Sequence, residues 1–156
     1  MSIVKQIASE QYRSTVNKAA ERIGHMELPK KGWLYTVRQS LGMSAAQLAR
    51  RLGVTRSQVS KTEKAELSGG VTIKTMERMA EGMGCRFVYA VVPMGSAEDI
   101  LSKRAREKAE QIVRKASEHA ALEDQALTED KIELETRRLH TEMLKDLPPD
   151  LWNDEV

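Results

Sequence analysis

Residues 42–63, GMSAAQLARRLGVTRSQVSKTE, decide the fold. Ser44 is followed three positions later by Gln47, and Thr55 by Gln58, and each pair opens a segment with apolar residues at helical spacing. This is the signature of a capping box, in which a hydroxyl and a side-chain amide satisfy the first free backbone groups of a helix. The two short segments join through Gly53-Val54, with Ala49 small enough for a close crossing and Val59 apolar in the second. That pattern predicts two tightly joined helices, a helix-turn-helix.

Working outward, WLYTVRQSL before the pair and IKTMERMAEGM after it carry the same periodicity, and Gly42, Gly53 and Gly69-Gly70 punctuate the run. Four short helices are therefore expected over residues 33–82. Upstream, Ile3, Val4, Ile7, Ala8, Tyr12, Val16, Ala19 and Ile23 recur at threes and fours, so residues 3–23 predict an amphipathic helix that leans on something and ends near Gly24. Downstream, two segments rich in Ala, Glu, Lys, Leu and Arg predict long helices. Their stripes, Leu101, Ala105, Ala109, Ile112, Ala116 and Ala120 on one and Ile132, Leu139 and Met143 on the other, bury against a helix of this chain or of a partner. The expected organisation is residues 1–31 as N-terminal helix and linker, 32–94 as the helix-turn-helix domain with a terminal strand, and 95–156 as an acidic helical region with a tail.

The strand is expected at CRFVYAVVP, where Phe87, Val88, Tyr89, Ala90 and Val91 form a β-type run stopped by Pro93. A lone strand cannot satisfy its backbone groups. Either it pairs with the same strand of a second copy across a two-fold axis, or it lies as an extended segment against the helical domain. The tail LPPDLWNDEV places Leu151 and Trp152 among prolines and acids. These two either pack on their own domain or anchor a partner.

Charge separates the two ends. Residues 1–94 hold fifteen Lys+Arg against seven Glu and no Asp, and residues 95–156 hold ten against sixteen acids, so a net +8 stands beside a net −6. A basic part attracts a polyanion, and an acidic helical part is freer to meet protein. The single cysteine, Cys85, excludes an internal disulfide framework and a cysteine-based metal cluster, and suits a reducing cytoplasm. No apolar run approaches membrane-spanning length, and the N-terminus has no hydrophobic signal core.

An α-helix fits the major groove of DNA with its N-terminal residues at the base edges. Arg56, Ser57 and Lys61 are the base-reading candidates, with Arg56 suited to a bidentate contact with guanine. Ser44, Gln47, Thr55 and Gln58 stand at helix starts, where backbone N–H groups meet phosphate, and Lys64 and Lys74 add charge. The double-stranded DNA partner is expected to be an inverted repeat read by a homodimer.

Residues 33–84 resemble the Cro/cI-type domain of phage repressors and the xenobiotic-response-element family, with Gln47-Leu48-Ala49, Leu52-Gly53-Val54, Ser57-Gln58-Val59-Ser60 and Glu63 in the positions of its recurring elements. Thr62 stands where that motif usually has a buried leucine. Over nearly the whole chain, GWLYTVRQSLGMSAAQLARRLGV, VTIKTMERMAEGMGCRFVYAVVP, RAREKA and ALEDQ are similar to the family called mobile mystery protein A. That resemblance implies an antitoxin-like protein that represses its own operon and restrains a neighbouring Fic-domain protein, a candidate adenylyl-transferring toxin. The inhibitory pattern of some Fic antitoxins, a Ser/Thr, three residues, Glu, then Gly or Asn, is absent. The nearest approach, TEKAEL from Thr62, ends in Leu67.

Catalysis finds no support in the residues. His25, His119 and His140 are far apart, no His-Glu pair has zinc spacing, no Gly-rich phosphate loop occurs, and Cys85 reads as a small packed residue. No metal or cofactor is expected. The alternative to a repressor is a protein-binding inhibitor or scaffold that works through the C-terminal helices, with DNA binding incidental.

Overall fold

The computed structural model describes residues 2–154. Among them are seven α-helices: α1 (Ile3–Ile23), α2 (Trp33–Ser40), α3 (Ala45–Leu52), α4 (Arg56–Ser68), α5 (Ile73–Gly82), α6 (Ala97–Ala121) and α7 (Glu129–Lys145). They fall into two compact units, one spanning His25–Ala90 and the other combining the chain up to Gly24 with the chain from Val91 onward.

In the first unit, α2 to α5 close around Leu34, Leu48, Ala49, Val59, Met76, Met79 and Met83, with Val37, Leu52, Val54, Val71 and Phe87 at the edge. Leu48 and Val59 are fully buried, each contributing about 2 kcal/mol of transfer free energy. Gly53 and Gly69 end α3 and α4 in the left-handed conformation, at φ 68° and 80°. Each hands the chain on with a bond back into the last turn, Val54 N–H to Ala49 O and Gly70 N–H to Ala65 O. The helix α4 runs to Ser68, well past the motif's last element at Glu63, because Ala65, Glu66 and Leu67 are good helix formers and the first stop signal is Gly69. Gly82 is a packing requirement, since a Cβ there would sit 2.6 Å from Leu52 Cδ2.

In the second unit, α6 and α7 pack antiparallel: Ser102 meets His140, and Arg106 meets Glu133. Ala105 and Ala109 are fully buried at this contact, so the stripe of small residues on α6 finds its partner helix in the same chain. The stripe ends early, because Ala116 is exposed. The helix α1 forms over the expected residues but covers only part of the expected stripe. Ala8, Val16, Ala19 and Ile23 are half-buried together with the polar Gln6, Ser9, Arg13 and Asn17, whereas Ile3, Val4, Ile7 and Tyr12 are exposed. Polar bonds hold it: Asn17 Nδ2 donates to Glu98, Asn17 Oδ1 accepts from Ala97 N–H, and Arg13 lies 3.6 Å from Glu98.

Three expectations change. No β-strand occurs among the described residues. The segment carrying Phe87, Val88, Tyr89, Ala90 and Val91 runs from Cys85 to Pro93 without helix, turn or bend. A strand is defined by ladder bonds to a neighbour, and a single copy supplies no neighbour. Leu151, a partner-binding candidate, is instead 2% exposed within the α6–α7 core, while Trp152 remains open to solvent. Cys85 is exposed rather than packed.

Candidate nucleic-acid interface

Both capping boxes form. Ser44 Oγ accepts from Gln47 N–H and Gln47 Oε1 accepts from Ser44 N–H; Thr55 Oγ1 and Gln58 Oε1 repeat the arrangement at α4. These four side chains are the predicted phosphate contacts, and the boxes divide their labour. The hydroxyls and Oε1 atoms are occupied in fixing the helix starts. The amide hydrogens of Gln47 and Gln58 stay available, together with the first N–H groups of each helix, which have no intrahelical acceptor.

Along α4, Val59 and Glu63 face inward, and Ser57, Lys61 and Lys64 lie on the exposed side. The predicted base-reading residues divide between two hollows. Arg56 lines one with Ser60, Lys64, Ser44, Lys31 and Gln39, between α4 and the start of α3. Lys61 lines the other with Gln58, Thr62, Thr75 and Arg78. Ser57 sits on the exposed ridge that separates them. Lys74 is exposed in the first turn of α5, outside both hollows. Thr62 is half-buried, and its hydroxyl donates to Gln58 O, so the departure from leucine is accommodated within the helix.

The helix α4 is held by Glu63, a position of the motif, and by groups that no local pattern marks. Arg38 of α2 and Glu63 of α4 form a buried bidentate pair, with Nε 2.6 Å from Oε1 and Nη2 3.1 Å from Oε2, and Arg38 Nη1 also donates to Met43 O at 2.9 Å. The hydrogen bond to Glu63 raises the Arg38 pKa above its ordinary value against the opposing effect of burial, so the guanidinium is permanently charged. Glu66, one turn on, accepts from Trp33 N–H at 2.6 Å and Leu34 N–H at 2.9 Å, capping α2 where Gly32 has no side chain to do so. Gly32, at φ 83°, leaves the room this needs: a Cβ there would lie 2.9 Å from the Glu66 carboxylate. Arg51 donates to Gly82 O and Arg78 to Leu52 O, so α3 and α5 each satisfy the last turn of the other.

A sequence signal for the pair existed. Glu63 follows Val59 by four residues and so falls on the buried stripe of α4, where a carboxylate needs a cation or donors. Nothing in α4 itself says that the cation is Arg38.

The basic balance is concentrated in this unit. Residues 25–90 hold eleven Lys+Arg against five Glu, a net +6, and the remainder of the chain holds fourteen against eighteen acids, a net −4. Among the described residues no group of His, Cys, Asp or Glu is arranged to hold a metal ion, and no helix is long and apolar enough to cross a membrane.

Comparison with known proteins agrees with this geometry over one part of the chain. No curated protein and no solved structure matches the sequence. The helix-turn-helix family (HTH_3) matches residues 34–89, a span that covers α2 to α5 and the segment after them. Residues 34–89 are a helix-turn-helix domain of the Cro/cI type.

Proposed function

We propose that the chain is a sequence-specific DNA-binding transcriptional repressor that works in the cytoplasm by binding rather than by catalysis, as a homodimer on an inverted repeat upstream of its own gene. The observation that carries this reading is the start of α4. Arg56, Ser57 and Lys61 are exposed there, on a helix fixed by a capping box and tied to α2 through Arg38–Glu63 and Glu66. Side chains on a rigid helix start suit base edges, and the adjacent amides with Lys64 suit phosphate. The resemblance to mobile mystery protein A supports the finer assignment, an antitoxin-like component autoregulating an operon with a Fic-domain toxin. Glu66, at the nearest approach to an inhibitory Fic motif, caps α2, so restraint of such a partner would rest on another surface.

Fluorescence anisotropy with the DNA upstream of the gene, against a scrambled duplex, tests the repressor reading. Preferential binding that falls about tenfold or more in Arg56→Ala is expected, since one bidentate base contact is worth about 1–3 kcal/mol. Equal weak binding to both duplexes, unchanged in the variant, would remove the reading.

A second reading has one observation behind it. The tail is clamped to α6, with Arg104 donating to Leu151 O and Asn153 O and Lys108 to Asp150 O and Asn153 O, yet Trp152 is 59% exposed beside the Arg104 guanidinium. A fixed, exposed tryptophan on an acidic unit suits a protein contact. This is the inhibitor or scaffold alternative, and it predicts partner binding that is lost in Trp152→Ala and kept in Arg56→Ala.

A further inference from the structure

We infer that residues 85–93 are the seam of the homodimer, pairing antiparallel with the same residues of a second copy across a two-fold axis. This deepens the dimer reading above, but its grounds are independent of DNA.

The backbone is the first of them. Among the described residues, no backbone hydrogen bond involves any residue from Arg86 to Met94, although the chain there runs through Pro93 without helix, turn or bend. Cys85 N–H, bonded to Ala80 O, is the last to be tied to the preceding helix. A straight run of unpaired N–H and C=O groups is an open sheet edge, which natural proteins cover or blunt with charge. This one carries no charge from Phe87 to Gly95.

The side chains are the second. Phe87 packs at the edge of the helix-turn-helix core and Tyr89 stacks on it, with ring centroids 5.9 Å apart, so one side of the segment is anchored to its own domain. Val88 is 62% exposed and Val91 90% exposed, a cost that pairing would relieve.

The third ground selects the occupant. An antiparallel two-fold arrangement with Tyr89 on the axis sets Phe87 opposite Val91 and Val88 opposite Ala90. Arg86, the one charged residue of the run, then faces Val92, so identical copies meet without like charges. Pro93, which has no N–H to give, ends the ladder. Beyond Arg86 the seam offers no charge by which a foreign strand would be selected over a second copy.

The test is sedimentation equilibrium of the full chain without DNA, for wild type, Val88→Lys and Val91→Lys. Both positions are exposed, so far-UV circular dichroism is expected to show unchanged helix content. The seam predicts a wild-type dimer and a dissociation constant raised about tenfold or more by each lysine, which sets an uncompensated charge against an apolar residue of the second copy, Ala90 for Val88→Lys and Phe87 for Val91→Lys. A wild-type monomer up to about 100 µM, a range in which specific dimers associate, would overturn it. So would a dimer whose dissociation constant neither lysine changes. A monomer that still binds the operator sinks the seam and the two-fold dimer but leaves sequence-specific DNA binding standing, and a dimer indifferent to operator sequence sinks the DNA reading alone.

Discussion

At the scale of residues, Arg38 and Glu63 decide how rigidly α4 is held against α2. Their ion pair is buried and bidentate, so removing one partner strands the other charge away from water. Glu63→Leu or Arg38→Met is expected to cost about 3 kcal/mol of unfolding free energy, read from urea denaturation midpoints. The joint replacement Arg38→Met with Glu63→Leu is expected to cost less than either single change, because no charge is left unpaired. A double-mutant cycle in which the two costs simply add would show that the pair does not couple α2 to α4. The sequence made half of this visible. Glu63 was recognisable as a motif position on the buried stripe of α4, but its partner lies 25 positions away on a helix whose crossing with α4 no local pattern records. Glu66 is a similar case: its carboxylate caps a helix that starts 33 positions earlier.

At the scale of elements, boundaries were legible and faces less so. Ser44, Thr55 and Gly53 carry their own stereochemistry, and the helices begin and end beside them. For α1 the periodicity gave the correct span and only part of the buried side, since Ala8, Val16, Ala19 and Ile23 are half-buried while Ile3, Val4, Ile7 and Tyr12 are not. An apolar stripe says only that a face is suited to burial, and Asn17 with Arg13 provides specific bonds to the start of α6 that periodicity cannot register. The Glu98 carboxyl reports on this tether. The Asn17 side-chain bond, then its own backbone N–H, and more weakly the charge of Arg13, hold its pKa below the ordinary glutamate value. A depressed carboxyl contributes stability above the unfolded-state pKa and loses it as pH falls through the lower folded value. Acidification is therefore expected to loosen α1 only below the ordinary carboxylate range. In an NMR titration of the Glu98 side-chain carbon, Asn17→Ala is expected to return the pKa toward its ordinary value. An unchanged titration would mean that Asn17 does not hold the carboxylate.

At the scale of the whole molecule, the separation of charge sets how binding responds to salt. The helix-turn-helix unit has a net +6 and the rest of the chain a net −4, so a small overall charge conceals a polyanion-attracting part. Attraction of this kind is counterion release, and the logarithm of affinity falls with the logarithm of salt concentration by about 0.9 for each phosphate neutralised. Lys64 and Arg56 separate the two components of the interface. Lys64 is exposed on α4 eight residues beyond Arg56, in the same hollow, where a lysine suits a phosphate rather than a base. In a two-fold dimer each such lysine acts twice, so Lys64→Ala is expected to reduce the salt slope by about two while weakening operator and scrambled duplex alike. Arg56→Ala is expected to lower the preference for the operator more than Lys64→Ala does, since it removes a base contact. The comparison is made by anisotropy titrations of wild type and both variants across a series of salt concentrations. If Lys64→Ala leaves the slope unchanged, the basic face of α4 does not meet the phosphates. If it changes the slope by about one rather than two, only one copy engages each site, and the two-fold operator must be replaced by a single half-site.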